Sequence, residues 1–226
     1  MSKTYQLHRI DSSIELPESC CNFTNFKNNE TVTPLSGGRG GAYILKHDEE
    51  TYVTKHYLRG GFAAKLLDDQ YLWTGEKKTR PYREIEVTQH AYQNGLPVAQ
   101  PIAYCIKKSG LFYQASIITR FVENQGTLAD VLSRQILKEQ DWGQLAKVIS
   151  KMHDLHINHA DLNADNILIG KDMSITLIDF DKAQIETRSG NWKQNNIDRL
   201  LRSLHKISPE YFSTEQWNTF LKAYQK

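Results

Sequence analysis

Apolar positions along the chain change their period about half-way, and the change divides the sequence into two kinds of element. Short runs at 31–35, 43–45 and 51–58, separated by glycine-rich or acidic turn sequence, read as strands, and a further apolar run at 116–118 reads as another. After Pro81 a helix is expected over 82–93, with Ile85, Val87 and Ala91 supplying its packing and residues 94–97 its stop signal. Another helix begins near Leu128. Between 142 and 155, Leu145, Val148, Ile149, Met152 and Leu155 recur at helical spacing, which predicts a buried helix. The stretches 166–169 and 173–178 read as two short strands joined by a turn at 170–172. Strand-rich sequence giving way to helix-rich sequence near 119–126 predicts an α+β fold. The expected organisation is a single domain, 1–226, with a strand-based lobe over about 1–120 and a mainly helical lobe over 121–226. A chain of this length buries roughly 70% of its extended surface, enough for a substantial core.

The buried helix leads directly into HADLNADN at 159–166, followed by LIDFD at 177–181. The order HxDxxxxN, then DFD, is that of a phosphoryl-transfer centre. Asp161 is the candidate catalytic group, taking the proton of an acceptor hydroxyl or orienting it. Asn166 and Asp179 are candidate magnesium ligands, since a hard cation prefers oxygen donors and bridges protein carboxylates to substrate phosphates. His153 and His159 are assigned to support of the loop, because a histidine at a helix end has several structural uses.

The earlier strands carry the matching parts. SGGRGGA at 36–42 reads as a glycine turn between the strands 31–35 and 43–45, in which Gly37, Gly38, Gly40 and Gly41 let backbone N–H groups approach phosphate oxygens. No GKS or GKT follows, so this is not the loop-to-helix phosphate site of a GTPase. Lys55, on the next strand, is placed to meet the α and β phosphates of ATP. Glu84 or Glu86 on the following helix is its candidate partner, and Glu84 is preferred.

Together these residues resemble the eukaryotic-like kinase superfamily and, more closely, the bacterial lipopolysaccharide-core sugar kinases of the 3-deoxy-D-manno-octulosonic acid (Kdo) kinase family. The resemblance is carried by SGGRGG at 36–41, KHYLRGG at 55–61, YRE at 82–84, GLPVAQP at 95–101, HADLNADNIL at 159–168, LIDFD at 177–181 and NNIDRLLRSLHK at 195–206. It implies a compact two-lobed protein-kinase-like fold with an antiparallel-sheet N-lobe and a mainly helical C-lobe. It also implies ATP with Mg2+ as cofactors, and the roles given above to Lys55, Glu84, Asp161, Asn166 and Asp179. The implied reaction is phosphorylation of a Kdo hydroxyl, the 4-hydroxyl being favoured, on Kdo-lipid IVA at the cytoplasmic face of the bacterial inner membrane. The chain departs from ordinary protein kinases in having Ala160 where HRD has arginine, Asp181 where DFG has glycine, and no APE. Regulation through a phosphorylated activation loop is therefore not expected.

Composition adds less. A formal charge of +2 does not mark a nucleic-acid binder, and no nucleic-acid or obligate protein partner is inferred. Local charge says more: between Lys55 and Arg83, seven Lys or Arg face three Asp or Glu. Arg59, Lys65, Lys77, Lys78 and Arg80 alternate there with Phe62, Leu66, Leu67, Tyr71, Leu72 and Trp73, a pattern suited to acceptor binding or peripheral contact with an anionic inner-membrane surface. Arg199 and Arg202 share a helix face with Asn195 and are candidates for bracing the activation region or binding acceptor anions. No amino-terminal signal segment and no bilayer-spanning apolar run is expected. Cys20, Cys21 and Cys105, sparse and odd in number, are expected as reduced thiols. Two other readings stand beside this one: a soluble small-molecule phosphotransferase of the aminoglycoside or choline kinase type, and a noncatalytic nucleotide-binding scaffold.

Overall fold

Among the residues that the computed structural model describes, 5–21, 32–35, 41–58, 69–207 and 210–225, seven strands form the main sheet. They are β1 (Gln6–Arg9), β2 (Val32–Pro34), β3 (Ala42–His47), β4 (Glu50–His56), β5 (Tyr71–Leu72), β6 (Pro101–Ser109) and β7 (Phe112–Arg120). All their pairings are antiparallel, in the order β1-β6-β7-β4-β3-β2, with β5 also on β7. The run from Pro101 to Ile106 is buried at every position because both faces of the sheet are covered. Ala103, Cys105 and Ile118 pack with Leu16, Cys20 and Cys21 in one cluster. Tyr104, Ile106 and Ile117 pack in a second cluster with Tyr57 and with Ile85 of α1 (Arg80–Gln93). Sequence reading recovers only 116–118 of the β6–β7 hairpin, because Lys107, Lys108 and Gln114 interrupt its apolar pattern. Gly110, at φ +60°, turns the chain between the two strands.

The expectation of three reduced thiols is corrected here. Cys21 and Cys105 form a disulfide, with Cα atoms 5.5 Å apart and a separation of 84 residues in sequence. Cys105 lies in β6, flanked by β1 and β7, and the short 3-10 turn Glu18–Cys21 packs into the same buried cluster. Cys20 remains a free thiol, its pKa pushed up to about 11 by burial.

The chain divides into two units, Met1–Glu86 with Gln100–Phe121, and Val87–Ala99 with Val122–Lys226. Val87–Ala99 joins the second unit through packing rather than chain order, since Val87, Ala91, Leu96 and Val98 belong to that unit's core. The second unit is built around α3 (Glu139–Asp154), whose Trp142, Leu145, Ala146, Ile149 and Met152 are buried. Packed with them in one core are Leu128, Val131 and Leu132 of α2 (Leu128–Leu132), Ile197, Leu200 and Leu204 of α4 (Trp192–Leu204), and Trp217 and Phe220 of α5 (Thr214–Tyr224). Strands β8 (Gly126–Thr127), β10 (Ile167–Ile169) and β11 (Ile175–Leu177) form a small sheet, and β9 (Ile157–Asn158) pairs with β12 (Gln184–Ile185). Antiparallel strands precede a mostly helical region, as expected of the α+β class. Among the described residues, no helix is long and apolar enough to cross a membrane.

Candidate active site

Strand β9 delivers the chain into the His159–Ala160–Asp161 loop, which is fixed by its own amides. The Asp161 carbonyl accepts hydrogen bonds from Asn163 Nδ2 and Asn166 Nδ2, both at 2.9 Å. Asn163 caps the following 3-10 turn, Ala164–Asn166, accepting from the Asp165 N–H at 2.9 Å. Ser203 of α4 accepts from the Ala164 N–H at 2.9 Å. Asn166 is followed directly by β10, which pairs with β11 in the register Ile167↔Leu177. The Ile178 N–H reaches back to the Asn166 carbonyl at 3.0 Å, so Asp179 follows the residue that faces Asn166 across this ribbon. Asp179 adopts φ +64°, a left-handed conformation that aspartate tolerates better than most residues.

Two cations converge on the Asp161 carboxylate. Arg199 of α4 donates through Nη2 to Oδ1, and Lys182 Nζ lies 3.5 Å from Oδ2. Burial acts to raise the Asp161 pKa, but the hydrogen bond from Arg199 and the charges of Lys182 and Arg199 outweigh it and hold the group below its ordinary value. The side chain is therefore a carboxylate at neutral pH. With Asn166 Nδ2 committed to a carbonyl, the amide offers Oδ1 as its acceptor atom. Asn166 and Asp179 thus present oxygen donors of the hard type that magnesium takes alongside substrate phosphates. Among the described residues, no three His, Cys, Asp or Glu side chains form a self-sufficient metal cage.

Both histidines assigned to support sit in buried contacts around this loop. His159 Nε2–H donates to the Ile178 carbonyl at 3.0 Å, and its ring lies 4.8 Å from that of Phe180. His153 Nε2–H donates to Asn196 Oδ1 at 3.3 Å, and its Nδ1 accepts from the Tyr224 hydroxyl at 2.6 Å. Asn196 Oδ1 also accepts the His159 N–H at 3.1 Å, while its Nδ2 donates to Asn158 at 2.9 Å. α3, α4 and α5 therefore all reach the His159–Asp161 loop through one polar network. Burial lowers the His153 pKa from 6.5 to about 4, against the opposing effect of its bond to Asn196. The unfolded chain takes up this proton below pH 6.5 and the folded chain refuses it until about pH 4, so stability falls as pH drops through that window. Thermal melts from pH 7 to 4 are expected to show a steeper decline for the wild type than for His153→Gln. Parallel curves would contradict that contribution.

In the first unit, Lys55 of β4 donates to both carboxylate oxygens of Glu84, at 2.8 and 2.9 Å. The geometry selects Glu84 over Glu86, which is exposed on the same helix. The Tyr57 hydroxyl also donates to Glu84, and Lys55 Nζ lies 5.2 Å above the Tyr57 ring. Gly41, at φ +141°, accepts the His56 N–H through its carbonyl. A Cβ there would approach the His56 carbonyl oxygen to 2.9 Å, so the close pairing needs glycine. Gly37, Gly38 and Gly40 lie outside the described residues, as do Arg59 and Lys65. Lys78 is exposed. Arg80 is engaged within the fold, its guanidinium 4.9 Å from the centres of both the Tyr57 and Tyr71 rings.

Sequence reasoning assigns no role to Lys182, Asn196 or Tyr57, and leaves Arg199 between bracing and anion binding. Lys182 does carry a signal, a cation three residues beyond Asp179. Asn196 and Tyr57 carry none without the fold.

The sequence pattern of the Lipopolysaccharide kinase (Kdo/WaaP) family matches residues 26–224. A 3-deoxy-D-manno-octulosonic acid kinase of Vibrio cholerae is 36% identical over 192 residues, covering 85% of this chain and 81% of its own. Another, from Haemophilus influenzae, is 35% identical over 234 aligned residues, covering 98% of this chain and 96% of its own. Among solved structures, the Cydia pomonella granulovirus kinase PK-1 matches with a TM-score of 0.50 at 16% identity, over 74% of this chain and 56% of that one. That likeness concerns fold alone, and it identifies a kinase-like α+β architecture.

Proposed function

The chain belongs to the lipopolysaccharide kinase (Kdo/WaaP) family and is a phosphotransferase of the Kdo-kinase type, and from that premise we propose that it transfers the γ-phosphoryl group of ATP to the 4-hydroxyl of Kdo on Kdo-lipid IVA. The observation that carries the reading is the Asp161 carboxylate, held ionised and fixed through its own carbonyl to Asn166. Asp161 orients the acceptor hydroxyl and accepts its proton as the oxygen attacks phosphorus. The bond from phosphorus to the bridging oxygen breaks, and ADP leaves with the electron pair. Lys55, held by Glu84, meets the nucleotide phosphates. Asn166 and Asp179 are the residues that would hold Mg2+, which when bound neutralises phosphate charge. His153 and His159 keep the loop in place and exchange no proton with substrate.

An acceptor screen read by mass tests this reading. Kdo-lipid IVA is expected to gain one phosphoryl group with ATP, while aminoglycosides, choline and peptides remain unmodified. Transfer to a soluble amine or alcohol alone would favour a small-molecule phosphotransferase, and nucleotide binding without turnover would favour a scaffold.

The acceptor is lipid-linked, so the protein works as a peripheral protein at the cytoplasmic face of the inner membrane. Positive charge interleaved with apolar residues between Lys55 and Arg83 supports this placement, with Lys65 and Lys78 as membrane contacts. Arg80 is a weaker candidate because its guanidinium already stacks on two tyrosines. Combined Lys65→Glu and Lys78→Glu replaces two attractions with repulsions, each charge near such a surface being worth about 1 kcal/mol. Losing the two attractions alone removes about 2 kcal/mol, more than the ~1.4 kcal/mol of a tenfold change. Partition onto anionic vesicles at low salt is therefore expected to fall by about tenfold or more, with little change in thermal stability. Unchanged partition would remove these lysines from the interface.

A further inference from the structure

The two cations on Asp161 are unequal, and the difference separates their roles. Arg199 sits in close contact with Oδ1 and is anchored on α4, where Ile197 and Leu200 are buried on either side. Lys182 Nζ lies 3.5 Å from Oδ2, and its side chain is 63% exposed. A pair so long and so solvated contributes little to folding. Arg199 already supplies the close hydrogen bond to the carboxylate, so the long, solvated Lys182 pair adds little that folding needs.

Phosphoryl transfer gives the second cation a task. Its transition state spreads negative charge over the equatorial oxygens of the transferring group, and fixed cations next to that group lower the barrier. The loop from Asp161 to Asn166 reads DLNADN and contains two Asp but no Lys or Arg, and Asp179 and Asp181 follow it in sequence. Lys182 is the lysine that the fold places on the Asp161 carboxylate. Its backbone is firmly held, since Phe180 and Ala183 nearby are buried and the Ala183 N–H closes a turn onto the Phe180 carbonyl at 2.9 Å. The ammonium therefore rides on a fixed turn three residues beyond Asp179, at the end of a flexible stem.

We infer that Lys182 is a catalytic residue whose ammonium moves from Asp161 Oδ2 to the equatorial oxygens of the transferring phosphoryl group, while Arg199 stays on Oδ1 as a positioning residue. The inference rests on the function proposed above. When the acceptor hydroxyl binds, its O–H takes the place of the ammonium at Oδ2. The acceptor oxygen then bonds to phosphorus, the bond to ADP breaks with its electron pair on the departing oxygen, and the proton passes to Asp161. Lys182 exchanges no proton in the step and changes only its partner.

The test is single-turnover transfer to Kdo-lipid IVA by Lys182→Met and Lys182→Arg, with ATP affinity and acceptor KM measured on the same preparations and folding checked by thermal melt. Lys182→Met is expected to slow transfer by about 10² to 10³, as removal of a transition-state donor does elsewhere, with ATP affinity and acceptor KM within about threefold of wild type. Lys182→Arg, which keeps the charge, is expected to recover most of that loss. A Lys182→Met rate within about threefold of wild type would overturn the inference, as would a loss confined to acceptor KM, which would place the ammonium on the acceptor's acid group. Wild-type protein is run alongside. If it leaves Kdo-lipid IVA unmodified, the proposed function fails separately, and Lys182 is judged on basal ATP hydrolysis, which passes through the same charged transition state. An undiminished hydrolysis rate in Lys182→Met would then reject the role, and a loss recovered by arginine would support it.

Discussion

Asp161→Asn is expected to reduce phosphoryl transfer by about 10² to 10⁴ while leaving ATP binding nearly unchanged, because general-base or orienting groups act in the transition state. Asparagine preserves the shape of the side chain and can still meet Arg199, but its amide cannot take a proton as a carboxylate does. The Asp161 main-chain carbonyl, which anchors Asn163 and Asn166, is untouched by the change. The candidate metal ligands should therefore keep their placement. Single-turnover rates with saturating ATP and magnesium, set beside nucleotide titrations, make the comparison. Asp179→Asn should differ in kind: its proposed role is ligation, so higher magnesium concentrations should restore part of its activity and none of that of Asp161→Asn. Near-normal transfer by folded Asp161→Asn would move the catalytic assignment elsewhere.

Lys55→Ala carries the second large effect. It removes the cation proposed to meet the nucleotide phosphates and leaves Glu84, whose side chain is only 5% exposed, without its bidentate partner. Tyr57 still donates one hydrogen bond to that carboxylate. Breaking a buried ion pair costs about 3 to 5 kcal/mol of stability, and the figure here should be smaller because the Lys55 side chain is 26% exposed. kcat/KM for ATP is expected to fall on the order of 10²-fold or more, equivalent to ~3 kcal/mol of lost transition-state binding. The double variant Lys55→Ala with Glu84→Gln separates the two consequences. Neutralising the carboxylate should restore the melting temperature without restoring kcat/KM. Recovery of both would make the pair a structural brace only.

The contrast between these groups and their surroundings shows what the sequence alone carries. Asp161, Asn166 and Asp179 lie within a short stretch, so their spacing and the two strands that join them are local properties of the chain. Lys55 and Glu84 are 29 residues apart, yet each is marked by the element it occupies, a strand after a glycine turn and the start of a helix. Arg199 has no such marker for its place on Asp161: 38 residues separate them, and only the packing of α4 brings the guanidinium to Oδ1. Asn196 is similar, a polar residue whose network to Asn158, His153 and His159 depends on tertiary placement. The Cys21–Cys105 disulfide spans a longer interval still and defeats reasoning from cysteine count, because partner choice depends on which buried strand faces the 3-10 turn. β6 and β7 are hard to read for another reason. Their outer halves carry Lys and Gln, whereas their inner halves are covered on both faces and lose the alternation that identifies a half-exposed strand.

Kdo phosphorylation is tested most directly by incubating purified protein with magnesium, ATP and Kdo-lipid IVA, and measuring ADP formed against phosphate esterified to the Kdo sugar by mass and phosphorus NMR. The expected result is one ADP for each Kdo phosphomonoester, with formation abolished or slowed by orders of magnitude in Asp161→Asn. ADP accumulating with no phosphate on the sugar, or equal product from wild type and Asp161→Asn, would contradict it.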